Sequence, residues 1–159
     1  MIIFSCILLL SAVGCKKDKD REPAGAQTPV SLVGNEQSPA WAMPDDYDMT
    51  SSMTAVVKID LTRNYAEEVK SAGYQMTADD KLAAFDNETC LGVAEQVDGL
   101  FWLYVAGNGD NTGRIRLRYY SAALKNVFVS EELAFVNDAR LGTVNDPYTP
   151  LFTVVPASH

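Results

Sequence analysis

Five carboxylates crowd two short stretches of this 159-residue chain: Asp45, Asp46 and Asp48 in WAMPDDYDM, and Asp79 and Asp80 in TADDK. A pair of carboxylates at the right separation can hydrolyse a glycosidic bond, and clustered oxygen ligands can hold Ca2+. These are the two chemistries such residues offer. All five also sit in turn-like approaches to strands, where Asp is favoured for local hydrogen bonds to backbone. The expectation is therefore no catalytic residue, no metal and no cofactor. A carboxylate-based hydrolase, or a loose Ca2+ site built from Asp45, Asp46, Asp48, Asp79 and Asp80, is the alternative. The single histidine is the last residue, His159, a poor place for a base, which argues against Ser-His-Asp and Cys-His mechanisms and most zinc sites. No G-x-S-x-G, P-loop or G-x-G-x-x-G occurs. The loop GNGDNTG at 107–113 offers Asn108, Asp110, Asn111 and Thr112. Counted from Asn108, however, its twelfth position is Tyr119 rather than the bidentate Glu of an EF-hand. It reads as a glycine-flanked hairpin loop.

A second constellation is aromatic and basic. LFWLYVA at 100–106 and RIRLRYYS at 114–121 both alternate with period two. If 107–113 joins them as a hairpin, Tyr104 lies opposite Arg116 and Trp102 opposite Arg118, with Leu100–Tyr120 beyond, all on one polar face. Trp102, Tyr104, Arg116, Arg118 and Tyr120 are then the candidate ligand-binding residues, of a kind that stacks on sugar rings or anchors a protein. Cross-strand pairing that merely supports the sheet is the reading favoured for such residues, because such pairs are common in sheets.

The elements that must position these residues are strands. Residues 53–61 put Met53, Ala55, Val57, Ile59 and Leu61 on one face. Residues 80–86 and 89–97 form a hairpin about Asp86-Asn87-Glu88, and 125–130, 133–136 and 151–155 complete the set. Residues 62–77 read as a loop with one or two helical turns at most. Seven or eight short strands at spacings near ten residues predict an all-β fold, an antiparallel β-sandwich, with a small β-barrel as the alternative. Gly92 suits close approach of a neighbouring strand, and Cys90 a small buried position.

The first 14 residues, MIIFSCILLLSAVG, are an apolar run too short to span a bilayer, with no Lys or Arg before it. Leu10-Ser11-Ala12-Val13-Gly14-Cys15 resembles a bacterial lipobox. The resemblance implies a lipoprotein signal peptide at 1–14, acylation of Cys15 and a membrane anchor. Residues 15–39 then hold the lipidated Cys and a charged, Pro- and Gly-rich flexible tether, reaching ~25–30 Å. Its early acids, Asp18, Asp20 and Glu22, resemble the export signal of Bacteroidetes-type surface lipoproteins. Residues 40–159 form the single domain. Within it, Pro44-x-x-Tyr47, Asp80-x-Leu82-Ala83-Ala84-Phe85, Cys90-x-Gly92-Val93-Ala94, Tyr120-Ser121-Ala122 and Gly142-Thr143 resemble a β module of Bacteroidetes-type secreted proteins, with Leu91 where the module carries Arg. That resemblance implies a small, non-catalytic extracellular β domain and gives no ligand. With the lipobox and the aromatic-basic face, the expectation is a cell-surface module, lipid-anchored in the outer membrane, that binds a glycan or protein. The alternatives are a periplasm-facing protein, and a structural or accessory subunit of a surface or fimbrial-type assembly. Net charge is −8, concentrated in 40–110 with thirteen acids against four bases, which argues against a nucleic-acid partner.

Overall fold

A computed structural model describes residues 30–109 and 112–155. Period-two patterning builds most of it. The first strand, β1 (Ser51–Val57), turns Met53, Ala55 and Val57 inward and Thr54 outward. It pairs antiparallel with β5 (Leu100–Gly107), which sends Phe101, Leu103 and Val105 inward and Trp102 and Tyr104 outward. Two short strands complete this sheet: β4 (Glu95–Val97), antiparallel to β5, and β9 (Arg140–Leu141), parallel to β1. The sheet order is β4-β5-β1-β9.

The second sheet runs β10-β7-β6-β2-β3. Its strands are β2 (Lys81–Asp86), β3 (Thr89–Val93), β6 (Arg114–Ser121), β7 (Asn126–Ser130) and β10 (Phe152–Val154). The two-residue β8 (Leu133–Ala134) extends the pairing at the start of β6. Between β7 and β8 the ladder is interrupted, and the Ser130 hydroxyl fills the gap by accepting from the Leu117 amide at 2.9 Å. Neither sheet closes on itself. The fold is thus the sandwich expected from strand spacing rather than the barrel, with one parallel pair, β1–β9, among antiparallel ones.

The core lies between the sheets. Met53, Val57, Phe101, Leu103 and Val105 face Leu82, Leu91, Ile115, Leu117, Tyr119, Phe128 and Phe152, all under a tenth exposed. At ~25 cal/mol per Å2 of apolar surface, burial on this scale is the main stabilising term. No disulfide assists it: Cys90, the one cysteine among the described residues, is free and buried.

The expected hairpin is present, with Asp86 opposite Thr89 and Asn87 at φ 51° in the turn. A register shift between Ala84 and Phe85 leaves Leu91 as an extra residue. That bulge sends Leu91 into the main core and Cys90 to the opposite face, beside Ala83 and Phe85. Past Ala94 the chain leaves β2 and joins β5 as β4, so one extended segment serves both sheets. The crossing is tight. A Cβ on Gly92 would fall 2.0 Å from the Tyr104 carbonyl oxygen, the close approach read from the sequence.

Two expectations need correction. Residues 62–77 are not a loop: α1 (Thr62–Ala72) is a helix of 11 residues with non-helical torsions at Tyr65, ended by Gly73 at φ 61°. Only Val69 on it is buried, but with Leu61 and Tyr65 it makes a short apolar stripe at i, i+4, i+8 that packs on the core. Nor does the tether run to Pro39. Leu32 is 2% exposed and part of the core. The Gly34 amide donates to Leu124 O (2.9 Å), the Glu36 amide to Lys125 O (2.9 Å), and Asn126 Nδ2 to Leu32 O (3.0 Å). Trp41 then caps Phe85 edge-on, ring centroids 5.6 Å apart. The domain therefore begins no later than Leu32. Cys15 and residues 1–29 lie outside the described part, as does His159. No described helix is long and apolar enough to cross a membrane.

Candidate functional site

Trp102 and Tyr104 project from the outer face of the four-stranded sheet because their neighbours Phe101, Leu103 and Val105 take the inner one. They are 44% and 51% exposed, unusual for large aromatics on a central strand. Residues two apart on a strand stand about 7 Å from one another. Across the sheet, Val56 pairs with Trp102 and Thr54 with Tyr104, and on the far edge Thr54 pairs with Arg140. Beyond Arg140, Gly142 at φ 72° bends the chain outward. A Cβ there would lie 2.6 Å from Val56 O and 2.4 Å from the Tyr148 amide nitrogen, so this turn suits glycine alone. The turn is locked by the Thr143 amide donating to Asp146 O (2.9 Å), and it is tied back to β1 by the Tyr148 amide donating to Val56 O (2.9 Å). Thr143 and Val144 thereby form a wall opposite the aromatics. The result is an open groove of about 540 Å³ lined by Thr54, Val56, Trp102, Tyr104, Arg140, Thr143 and Val144, with Ala55, Leu103 and Gly142 below. The Tyr104 hydroxyl reaches Met49 Sδ at 3.5 Å.

The proposed ladder is not formed. Strands β5 and β6 belong to different sheets, so Trp102 and Tyr104 do not meet Arg116 and Arg118. Instead of reversing within a sheet, the 107–113 loop crosses between sheets. Both sides of it are pinned: the Thr50 amide donates to Gly107 O (3.0 Å), the Gly109 amide to Thr50 Oγ1 (2.9 Å), and Tyr47 OH and Thr112 Oγ1 are 3.2 Å apart. Asp110 and Asn111 lie outside the described residues.

On the six-stranded sheet the basic residues have local partners. Arg118 stacks its guanidinium over the Phe85 ring at 4.1 Å, and donates to Glu88 (3.0 and 2.7 Å) and to Asn87 O (2.7 Å). It fastens the β2–β3 turn, and the same pairing holds the Glu88 carboxyl below its ordinary range. Arg114 and Arg116 share Glu132, at 3.1 and 3.5 Å. Tyr120, another candidate ligand contact, is 4% exposed, its hydroxyl donating to Glu36 O at 3.3 Å under the N-terminal segment. It contributes packing rather than a contact surface.

The carboxylates separate in the same way. Asp45, Asp46, Asp48 and Asp79 are exposed and Asp80 is buried. No three of His, Cys, Asp and Glu come together among the described residues. Asp80 accepts from the Thr77 amide (3.2 Å), Thr77 Oγ1 (2.9 Å), the Ala122 amide (2.9 Å) and Tyr119 OH (2.5 Å). Tyr74 OH is 2.6 Å from Tyr119 OH. These bonds tie the turn before β2 to the end of β6. Burial raises the Tyr119 phenol strongly and the Tyr74 phenol to about 12. The Cys90 thiol is likewise pushed up, chiefly by burial, the reverse of a reactive cysteine.

Of the five aromatic and basic candidates, then, the fold keeps two in one open site, Trp102 and Tyr104. Arg140, Thr143 and Val144 were missed. Their signal was the Gly142-Thr143 turn, which marks a bend but not the strand it returns to. No protein family, no curated protein and no solved structure matches the chain.

Proposed function

We propose that the chain is a lipid-anchored, non-catalytic β-sandwich module of the outer membrane that binds a glycan in the groove beside Trp102 and Tyr104. The carrying observation is this pair of exposed aromatics on one strand face, within a groove of about 540 Å³. That volume is in the range of ligand clefts, whereas a stable protein interface needs ~800 Å2 per partner with aromatic anchors inserted in pockets. Aromatic rings offer flat apolar faces to the C–H faces of sugar rings. The non-catalytic reading is favoured by the carboxylates: the buried one, Asp80, is taken up by four hydrogen bonds. The anchor and the location rest on the lipobox-like Leu10–Cys15 stretch and the acids behind it.

Docking through a sheet edge has less support. Three of the four edge strands, β4, β9 and β10, are only two or three residues long, a length that discourages strand addition.

The test is a glycan array probed with the full-length protein and with Trp102→Ala. Binding by the former and loss in the latter, with thermal stability unchanged, is the expected result. An array without hits, or one insensitive to Trp102, sinks the proposal. Cys15→Ala checks the anchor separately, since it should move the protein out of the membrane fraction.

A further inference from the structure

Building on the groove as the ligand site, we infer that its ligand is an acidic glycan, and that Arg140 binds a ring carboxylate of the sugar seated on Trp102 and Tyr104. Three observations converge. Arg140 is the single charged side chain in the groove lining; the others are apolar, hydroxyl-bearing or aromatic. Among the described residues it is also the one arginine with neither an ion pair nor a side-chain hydrogen bond. Arg114 and Arg116 are held by Glu132, Arg118 by Glu88, and Arg63 by the Thr149 carbonyl. Lastly, its position is fixed by backbone: Arg140 pairs with Thr54, which pairs with Tyr104. Aromatic and guanidinium therefore stand on one row across three strands, two strand spacings or about 10 Å apart at the Cα level.

A guanidinium is a planar fork of donors that meets a carboxylate in two parallel bonds. This chain has acids in surplus, with a net charge of −8, yet among the described residues none pairs with Arg140. Among the described residues, whose other arginines are held, one arginine is left free beside the aromatic floor, with Glu95 on the far side of Trp102. An arginine so placed selects a ligand carrying charge of the opposite sign at a defined distance from its stacking surface. Pyranoses with a carboxylate on the ring fit that description. Thr54 and Thr143, facing the groove beside Arg140, supply hydroxyls for the remaining sugar oxygens.

Calorimetric titration of the detergent-solubilised full-length protein decides the matter. The probes are hexuronic-acid tetrasaccharides and the same oligosaccharides after carboxyl reduction, which keeps the rings and removes the charge. The acidic form is expected to bind roughly tenfold more tightly, the size of a charge-assisted bidentate bond. That preference should shrink as salt is raised. Arg140→Gln should abolish the preference while leaving binding of the reduced form in place. Equal affinity for the two forms, or a preference that survives Arg140→Gln, overturns the inference and leaves the glycan reading standing. No binding of either form overturns the inference and leaves the glycan reading to the array, whereas binding indifferent to Trp102→Ala overturns both.

Discussion

Asp80 illustrates how a residue's chemistry is decided by its neighbours. In sequence it belongs to an acidic run that suggested metal or hydrolytic work; in the fold it is a hub of hydrogen bonds. Asp80→Ala would strand the Thr77 and Ala122 amides and the Tyr119 hydroxyl. Losing a buried charged acceptor of this kind costs about 3 kcal/mol or more, which urea unfolding will measure directly. The adjoining phenols give this corner a pH signature. Tyr74 ionises near 12 in the folded protein against 10.0 when free, so its neutral form is favoured by folding. Its contribution is complete below pH 10 and is lost as pH rises through about 12. The urea midpoint should therefore decline between pH 10 and 12, more shallowly in Tyr74→Phe, and an identical decline in both proteins would contradict the assignment. Nothing in TADDK distinguishes Asp79 from Asp80. Only the fold, by closing β6 over one and leaving the other in water, makes them different.

At the scale of elements, the segment running from β3 into β4 is the part least tolerant of change. Gly92→Ala would drive a methyl group into the Tyr104 carbonyl. Relief requires separating β3 from β5, at a cost on the order of 1–3 kcal/mol or above. A calorimetric Tm equal to that of the unaltered protein would mean that the crossing is looser than the geometry implies. This hairpin was readable because its information is local: alternating apolar residues, a tight Asn-containing turn, a glycine where strands touch. The relation of β5 to β6 was not. Both strands alternate cleanly and a glycine-rich loop joins them, but such a loop looks the same whether it reverses in one sheet or steps to another. The deciding fact is that β5 takes β1 as its partner, more than 40 residues earlier in the chain. Helix α1 escaped for the opposite reason. Its signal, Leu61, Tyr65 and Val69 at helical spacing, is only two turns long, and the residues between are as polar as those of a loop.

The molecule as a whole is a two-sheet sandwich whose N-terminal segment is part of the packing. Leu32 sits in SLVGNE, a short apolar patch among Pro, Gly and polar residues, with no period to mark it as core. Leu32→Ala should cost about 2–4 kcal/mol as a buried large-to-small change. Removing residues 1–29 should leave the urea midpoint unmoved, whereas removal through 41 should lower it. If both truncations behave alike, the packing of this segment is dispensable. The same docking sets how the domain responds to pulling. Within the described residues, a load entering from the N-terminal side meets first the bonds from Gly34 to Leu124, from Glu36 to Lys125 and from Asn126 to Leu32. Those few bonds are the mechanical fuse. The expected outcome of force spectroscopy is that this strap detaches first, while Trp102, Tyr104 and Arg140, borne by strands β5 and β9 of the other sheet, keep their places; a single all-or-none rupture would contradict it.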